Sequence, residues 1–434
     1  MQTTPMAEIT PSLLMLQLMT GIALGAVYAL LALGLSLIFG MLTVVNFAHG
    51  AFFTVGAFLG VYFLGLTGNF WFSLLLTPIA VGAIGLLVHR LAREAGGTVV
   101  GAPGAWPPFA DVTFVAAPPG WGLSGGARYA RGVARVLRRL RPGLIEVHNR
   151  PEIAVLLARW FPRTPVLLWL NNDPQGMRQA RTARQRARLL QRMTVVTASE
   201  WLRDRFVDGL NGPAARLPPN SRVEVIYNSL DPLPEPPTQR ENLILFAGRL
   251  VHDKGADAFV AACALALPDL PGWRAAMVGA DRFSPTAPDT IFVTALRPAA
   301  AAANVMLHGH QPHDAVLDLM RQAAIVCVPS RWPEPFGLVA LEAMACGAAL
   351  VCTPRGGLPE VAGPAALYAE PDPAALAGAI RTLAQDPARR AALAALGRHR
   401  AAEFGTARAT AALSVLRARL LNRIATSVNH DAGL

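Results

Sequence analysis

The order of apolar and polar positions divides this chain into two parts. From Ile9 to His89 there is no Asp, Glu, Lys or Arg. A membrane-spanning helix needs about 20 apolar residues, so this pattern predicts an all-α transmembrane segment of three helices, near 13–39, 43–66 and 70–88. Arg90 and Arg93 follow the last predicted span, and the positive-inside rule then places the rest of the chain in the cytoplasm, at the inner membrane.

Beyond the apolar segment, short apolar runs alternate with amphipathic stretches. This alternation is typical of a doubly wound parallel sheet, in which ligands bind at the carboxyl ends of the strands. Strands are predicted at 97–101, 111–117, 143–147, 165–170, 194–198 and 223–227. Helices are predicted at 86–96, 126–140, 151–160 and 177–193.

A second alternating set follows the proline-rich segment 233–240, LPEPPTQR, which is typical of an interdomain linker. Its strands are predicted at 243–246, 275–278, 305–307, 325–328 and 349–352. Its helices are predicted at 256–266, 312–322, 337–346, 373–385, 387–403 and 407–424. The predicted units are a transmembrane segment (1–90), two Rossmann-like domains (91–235 and 236–406), and a C-terminal helix and tail (407–434).

Composition adds two constraints to this picture. The formal net charge is +11, and because Glu8 is the only charged residue before Arg90, residues 90–434 carry +12. A domain this basic favours phosphorylated ligands, anionic membrane surfaces or nucleic acid. The four cysteines include no C-x2-C pair, so buried reduced thiols are expected rather than a zinc site or disulfide bonds.

Two predicted helices carry arginines at helical spacing. They are Arg128, Arg131, Arg135 and Arg138 in one helix and Arg178, Arg181, Arg184, Arg188 and Arg192 in the other. The stripes are either solvated helix faces or contacts to anionic lipid or a phospholipid-linked acceptor, with about 1 kcal/mol per arginine at a lipid surface. Nucleic acid is not expected as a partner, because aromatic residues are sparse around these arginines.

The stretch from Pro329 to Glu360 holds two carboxylates near a predicted helix N-terminus. Glu334 precedes a proline and therefore belongs to the loop, whereas Glu342 lies inside the helix eight positions later. The first-turn amides of this helix, from Gly337 onward, lack intrahelical acceptors and favour an anion. Carboxylates beside such a site suit sugar or ribose hydroxyls; the alternative is a loop acid and a solvated helix face.

Three motifs resemble family 4 glycosyltransferases, enzymes of the GT-B fold. E-P-F-G-L-V-A-L-E, from Glu334 to Glu342, resembles the E-x7-E motif. Residues 246–255, F-A-G-R-L-V-H-D-K-G, resemble the G-R-x4-K-G segment, and residues 353–360, T-P-R-G-G-L-P-E, resemble the glycine-rich turn. The resemblance covers about residues 97–425 and implies retaining transfer of a sugar from a nucleotide-diphosphate-sugar donor.

The resemblance also implies a role for individual residues. Arg249 and Lys254, the only lysine of the chain, would hold the donor diphosphate. Glu342 would bind the donor ribose, and Glu334 would face the transferred sugar as a catalytic residue. The implied donor site is completed by Gly248, Phe336, Gly337 and Leu338. No cofactor is implied, since the nucleotide sugar is a substrate, and no D-x-D triplet supports a metal-clamped mechanism.

The N-terminal domain departs from the family pattern. Its opening strand and glycine-rich loop are replaced by membrane sequence, and Asn171 and Asn172 stand where the family commonly carries a histidine. Asparagine carries no proton near neutral pH. His148 follows a predicted buried strand at the ligand end. His148 is either a catalytic residue or a structural histidine. As a catalytic residue it would hydrogen-bond the donor sugar or the acceptor, and the acceptor would be a saccharide or a lipid-linked molecule.

The apolar segment has a resemblance of its own. Residues 25–40, GAVYALLALGLSLIFG, and 45–50, VNFAHG, resemble the start of branched-chain amino acid ABC transporter permeases, over about residues 11–88. Asn46 and His49 either line a polar path or form an interfacial turn. The chain is therefore interpreted as a fusion. A rival function is a transport-related membrane protein whose globular part only binds nucleotide sugar or is inactive; a nucleotide-sugar epimerase is a third possibility.

Overall fold

The computed structural model describes residues 97–101, 113–122, 124–210, 223–237, 239–281 and 289–431, with side chains to 422. The three predicted membrane spans and the predicted helix 86–96 lie outside these residues. Within the described ranges, no helix combines the length and hydropathy needed to cross a membrane.

The first half of the described chain contains two separate parallel sheets. Strands β1 (Thr98–Gly101) and β2 (Thr113–Ala116) pair with each other. The second sheet has the order β3-β4-β5-β6, which is also the order along the chain. Its strands are β3 (Ile145–His148), β4 (Val166–Leu170), β5 (Thr194–Thr197) and β6 (Val223–Val225).

Four helices accompany these strands, and side-chain caps explain where three of them begin. They are α1 (Gly125–Leu140), α2 (Pro151–Trp160), α3 (Ala183–Leu190) and α4 (Glu200–Val207). Ser124, Thr182 and Ser199 each accept a hydrogen bond from a first-turn amide of α1, α3 and α4. The helix predicted at 177–193 is too long, because Gln179 has a φ of 68° and Thr182 caps a helix that begins at Ala183.

The second half of the described chain forms a six-stranded parallel sheet of order β12-β11-β10-β7-β8-β9. Its strands are β7 (Glu241–Ala247), β8 (Arg274–Val278), β9 (Val305–Leu307), β10 (Ala323–Val328), β11 (Ala349–Cys352) and β12 (Ala366–Tyr368). The chain fills one side of β7 first and then returns to its other side with β10. The strand order therefore reverses between β7 and β10, the point where open α/β sheets bind ligands.

Helices cover both faces of this sheet. They are α5 (Ala256–Ala266), α6 (Ile291–Ala302), α7 (His313–Gln322), α8 (Leu338–Ala345), α9 (Leu358–Ala362), α10 (Pro373–Gln385) and α11 (Pro387–Ala402). Helix α12 (Thr406–Asp431) follows them in the chain. Helices α6 and α9 and strand β12 were absent from the sequence prediction. Successive residues of β7 supply the two apolar cores: Phe246 packs with Phe259 on one face, and Leu245 packs with Leu341 on the other.

The last helix joins the two halves. Leu413 and Leu416 of α12 pack against Leu167 and Trp169 of β4. Two hydrogen bonds of 2.5 and 2.9 Å also connect the Arg417 guanidinium to the Glu146 carboxylate of β3. The GT-B resemblance implies that the last two predicted helices, near 387–403 and 407–424, both cross back onto the first half. Only α12 lies there, since Gly397 of α11 is closely packed on Met344 of the second half.

Candidate active site

Three loops meet at the carboxyl ends of β7, β10 and β11. They comprise residues 248–255, 329–337 and 353–357. The main-chain amides of Arg331 and Trp332 donate to the Asp253 carbonyl at 2.8 and 3.0 Å, which joins the first two loops. Gly255 has a φ of 73°, and a Cβ there would lie 2.0 Å from the Pro329 carbonyl oxygen. Only glycine allows this approach.

The Glu334 side chain is held by two donors. Its Oε1 accepts from the Lys254 ammonium at 2.5 Å and from the Ser330 hydroxyl at 2.7 Å. Glu334 is 8% exposed, so the carboxylate is partly desolvated beside its counter-ion. Thr353 supports the arrangement from behind by donating its hydroxyl to the Ser330 carbonyl at 2.8 Å. The predicted pair of Glu334 and Lys254 is thus brought together, although 80 residues separate the two in sequence.

The glycine-rich turn fixes the main chain of Glu334. The Gly357 amide donates to the Glu334 carbonyl at 2.6 Å, and Gly356 forms a parallel bridge with Glu334. Gly356 has a φ of 64°, and a Cβ there would lie 2.2 Å from the Glu334 carbonyl oxygen and 2.4 Å from its nitrogen. A side chain at this position is therefore incompatible with the observed position of Glu334.

Arg249 lies in the same loop as Lys254, one residue after Gly248, whose amide donates to the Val278 carbonyl at 3.0 Å. The Arg249 side chain is partly exposed. Within the described part of the chain, no carboxylate forms an ion pair with it. The same loops contain a second arginine, Arg331, but its guanidinium is bound to the Asp257 carboxylate at 2.6 and 3.0 Å. Arg249 therefore retains a charge that a ligand can neutralise.

Helix α8 starts beside Glu334, with Gly337 as its N-cap residue and Leu338 as its first residue. No described side chain caps this end, which leaves the first-turn amides available to an anion. Phe336, in contrast, is 2% exposed, and its ring centroid lies 5.6 Å from that of Phe404 and 6.3 Å from that of Tyr227. Any contact of Phe336 with a ligand therefore falls to its main chain.

Glu342 lies on α8 with its side chain 14% exposed. The Nε2 atom of His313, the first residue of α7, is 2.9 Å from its Oε1. His313 was not among the site residues predicted from the sequence, because no spacing rule relates it to Glu342. Among the described residues, no group of three or more His, Cys, Asp or Glu side chains is arranged to bind a metal ion.

His148 lies at the carboxyl end of β3 in the other half, stacked on Trp169 with ring centroids 5.5 Å apart. Burial lowers the pKa of His148 to about 4, an effect opposed by Glu146 and reinforced by Arg417. The ring is therefore neutral at pH 7 and serves as a hydrogen-bonding group. His148 ends strand β3 of the first half and Glu334 lies in the loop after β10 of the second half, so these two predicted catalytic residues belong to different sheets.

Several polar atoms at this edge have no hydrogen-bond partner among the described residues. They include Nδ1 of His148, Nη1 of Arg150, Nε1 of Trp169 and Oδ1 of Asn171. Asn149 lies between them with a φ of 59° and accepts the Asn171 amide at 3.1 Å. Buried polar groups normally have partners. A cluster of unpaired ones at the carboxyl ends of β3 and β4 is therefore suited to a polar ligand.

The two halves also contact each other next to Glu334. The Ser199 hydroxyl donates to the carbonyl of Pro335 at 2.5 Å. The Glu360 carboxylate accepts from the main-chain amides of Glu200 and Trp201 at 2.6 and 3.1 Å. A residue of the second half thereby caps α4 of the first. Neither α4 nor this contact was predicted, because an apolar pattern carries no signal for a cap that comes from 160 residues away.

Comparison with known proteins finds a different family match in each of two parts of the chain. Residues 233–400 match the family model of glycosyl transferases group 1, and residues 17–97 match that of the branched-chain amino acid transport system / permease component. D-inositol 3-phosphate glycosyltransferase from Segniliparus rotundus is 40% identical over 119 residues, 27% of this chain and 26% of the relative. Glycogen synthase from Mycobacterium tuberculosis is 32% identical over 203 residues, 45% of this chain and 46% of the relative.

Solved structures match a larger share of this chain than these two curated relatives do. Anabaena Alr3699/HepE in complex with UDP and glucose has a TM-score of 0.60 at 20% identity, covering 77% of this chain and 95% of its own. Sucrose-phosphate synthase from Thermosynechococcus elongatus has a TM-score of 0.62 at 18% identity, covering 78% and 93%. The chain spans between about a quarter and 60% of the length of the first curated relatives. Residues 233–400 are therefore similar to glycosyl transferases group 1, and the described chain has a GT-B-like fold.

Proposed function

We propose that this chain is a hexosyltransferase of family 4 that moves a sugar from a nucleotide-diphosphate-sugar donor to a saccharide or lipid-linked acceptor. The contact of Lys254 with Glu334 at the switch point of the second sheet is the observation that carries the proposal. The UDP complexes of the structural neighbour HepE support a donor of this class. Transfer is proposed to retain the anomeric configuration and to need no metal ion.

The chemistry follows from where charge develops. When the sugar–phosphate bond breaks, negative charge grows on the departing diphosphate. Arg249 offers up to about 4 kcal/mol of gross attraction at contact distance in a partly solvated site, most of it offset by desolvation. Lys254 adds less, because Glu334 already neutralises part of its charge. The start of α8 adds its unpaired amides. These cationic groups take the place of a metal ion, and they act most usefully when they bind the transition state more strongly than the substrate.

The two glutamates would orient the donor. Lys254 and Ser330 both donate their hydrogen bonds to Oε1 of Glu334. Its Oε2 atom therefore remains available to accept a hydrogen bond from a hydroxyl of the transferred sugar. Glu342 would bind the ribose after exchanging its contact with His313. The acceptor would enter from the first sheet, where neutral His148 and the unpaired polar atoms around it offer hydrogen bonds. The acid–base role of a histidine is not required for this scheme.

The apolar N-terminal segment gives the proposal a second part. We infer that it tethers the globular part to the cytoplasmic face of the inner membrane. The match of residues 17–97 to a permease component favours an alternative, a transport-related protein whose globular part binds nucleotide sugars without transfer. The two functions differ in one observable, the formation of a glycosylated product.

The test uses the full chain in detergent, incubated with UDP-, GDP- and ADP-glucose and a panel of acceptors. We expect release of the nucleoside diphosphate, a product of retained configuration by NMR, and activity in the presence of EDTA. Lys254→Ala should lower kcat by about 10²–10³. Arg381→Ala is a matched control, because its pair with Asp269 lies on the outside of the same half. Donor binding without product, in wild type and Lys254→Ala alike, would favour the transport-related alternative.

A further inference from the structure

The first half of the molecule collects arginines at one edge of its sheet. Strands β3, β4 and β5 are parallel neighbours, so the residues that precede them lie at the same edge. Seven exposed arginines precede these strands by two to seven positions: Arg138, Arg139, Arg141, Arg159, Arg163, Arg188 and Arg192. We call this set the arginine edge.

These charges are not neutralised within the protein. Among the described residues, no member of the arginine edge takes part in an ion pair, and the acids of this region are already engaged. Glu146 binds Arg417, Glu152 binds Arg150 and Asp173 binds Arg205. Residues 124–193 contain fifteen arginines and only these three acids. A net charge of +12 in this segment accounts for the whole excess of the chain, which is +11.

Helix stabilisation explains only part of the set. Arg138 and Arg139 lie in the last turn of α1, where a positive charge favours the helix dipole. Arg141, Arg163 and Arg192 lie beyond the last residue of the preceding helix. The dipole interaction falls off within the last turn, so these residues need another explanation.

Two exposed leucines lie at the same edge. Leu140, the last residue of α1, is 43% exposed, and Leu421 of α12 is 42% exposed. A Cβ at Gly143, two residues before β3, would lie 3.1 Å from Leu421. The leucines thus flank the turn that carries Arg141, and together they form a mixed basic and apolar surface. This combination is typical of proteins that lie on anionic membranes.

The direction of β1 relates this edge to the apolar N-terminal segment. The Tyr129 hydroxyl, in the second turn of α1, is 3.4 Å from the Val100 carbonyl near the end of β1. The carboxyl end of β1 therefore lies near the start of α1, away from the arginine edge at the other end of this helix, and the opposite end of β1 is its amino end. The uncharged sequence from Ile9 to His89 precedes that amino end.

We propose that the arginine edge, with Leu140 and Leu421, docks on the surface of an anionic lipid bilayer. The guanidinium groups bind lipid phosphates and the leucines enter the interface. His148 and the unpaired polar atoms around it lie at the opposite, carboxyl edge of the same sheet, about 15 Å away for strands of four to five residues. Docking therefore fixes the orientation of the globular part without covering the site.

Cysteine labelling of the full chain in nanodiscs tests this docking. The four native cysteines are buried, so Leu140→Cys and Leu421→Cys introduce single reactive sites. We expect a membrane-impermeant maleimide to react at least tenfold more slowly in phosphatidylglycerol nanodiscs than in phosphatidylcholine nanodiscs, with recovery in 1 M salt. Leu265→Cys is the control, because Leu265 on α5 is about as exposed as Leu140 and Leu421. It should react at the same rate in the two kinds of nanodisc.

A triple change, Arg138→Gln, Arg139→Gln and Arg141→Gln, affects only exposed side chains. It should abolish the protection, since each arginine contributes about fivefold to binding at an anionic surface. Equal labelling rates in the two lipids would overturn the proposal. Protection by added RNA or DNA, but not by lipid, would also overturn it and assign the edge to nucleic acid. The readout needs no sugar transfer, so its failure leaves the proposed activity standing.

Discussion

At the residue scale, the site depends on how one carboxylate oxygen is shared. Lys254 and Ser330 both donate to Oε1 of Glu334, at 2.5 and 2.7 Å. Two donors on one oxygen fix the carboxylate plane and direct the other oxygen to a ligand. A buried carboxylate that loses a partner suffers a desolvation penalty. The hydroxyl of Ser330 is therefore expected to position Glu334 rather than to contact the sugar.

Replacing Ser330 tests this positioning role. Ser330→Ala should lower kcat about tenfold, since one hydrogen bond to a charged group is worth about 1.5–3 kcal/mol and Lys254 remains. The affinity for the nucleotide should change little, because the substitution leaves Arg249 and the start of α8, the groups proposed to bind the diphosphate, in place. Steady-state kinetics with separate kcat and KM values gives the answer. Thr382→Ala is the control, as its hydroxyl donates only to Gly378 within α10. A Ser330 variant altered mainly in KM would contradict the prediction.

His148 gives a pH dependence whose sign is fixed by its burial. Its pKa in the folded protein is about 4, below the value of about 6.5 in an unfolded chain. Between these values the unfolded state binds a proton that the folded state does not. Stability is therefore fully present above pH 6.5 and falls as the pH drops toward 4, by about 3 kcal/mol in total.

His148→Asn should flatten this dependence. Chemical denaturation of wild type and variant at pH 7 and pH 4.5 measures the difference. His399→Asn is the matched control, because that side chain is 86% exposed on α11. If wild type and His148→Asn lose the same free energy of unfolding between the two pH values, another group causes the dependence.

At the element scale, hydrophobic periodicity predicted the helices and strands whose bounds are determined by their own local sequence. Strands β9 and β11 and helices α5 and α10 have the predicted bounds, because an apolar run or stripe bounded by glycine or proline defines each. The loops after β7 and β10 were recognised through motifs, and their meeting follows from parallel pairing of those strands. Periodicity missed α4, which has only two buried residues, and α9, which has five residues in all.

The glycine-rich turn after β11 has a structural role that one substitution can expose. Gly356→Ala places a Cβ 2.2 Å from the Glu334 carbonyl oxygen, at a φ of 64°. The expected loss of stability is about 1–3 kcal/mol, and displacement of Glu334 should lower kcat further. Gly378→Ala is the control. It lies in α10 with open space around it, and alanine there should stabilise the helix by about 0.5–1 kcal/mol. Thermal unfolding and steady-state kinetics with the donor distinguish the Gly356 variant from the Gly378 variant. Equal effects of the two substitutions on stability and kcat would contradict the structural role of Gly356.

At the scale of the whole molecule, the two halves are connected at two places. Helix α12 anchors the second half to the first through Arg417 and Glu146. Near the site, Ser199 binds the carbonyl of Pro335, the residue after Glu334. The relative position of the halves is thereby coupled to the main chain of the candidate catalytic residue. No sequence pattern reveals this coupling, because the Ser199 hydroxyl binds a main-chain carbonyl, a group that every residue carries.

Glu360 offers a way to break this connection without touching the site. Its carboxylate accepts the amides of Glu200 and Trp201, and burial together with this carboxylate raises the pKa of Tyr227 to about 12. Glu360→Gln keeps the shape but removes the charge. It should lower the Tyr227 pKa in a spectrophotometric titration and cost about 1 kcal/mol of cap stability.

The effect on catalysis separates a hinge from a passive contact. If the contact sets the working position of the halves, Glu360→Gln should raise the acceptor KM, because the proposed acceptor groups lie on the first sheet. The nucleotide affinity proposed for the second sheet should remain unchanged. Glu403→Gln, which breaks an ion pair with Arg400, controls for loss of charge nearby. A parallel rise in the dissociation constant of the nucleotide would place the effect within the second half, and the proposed coupling across the cleft would then be wrong.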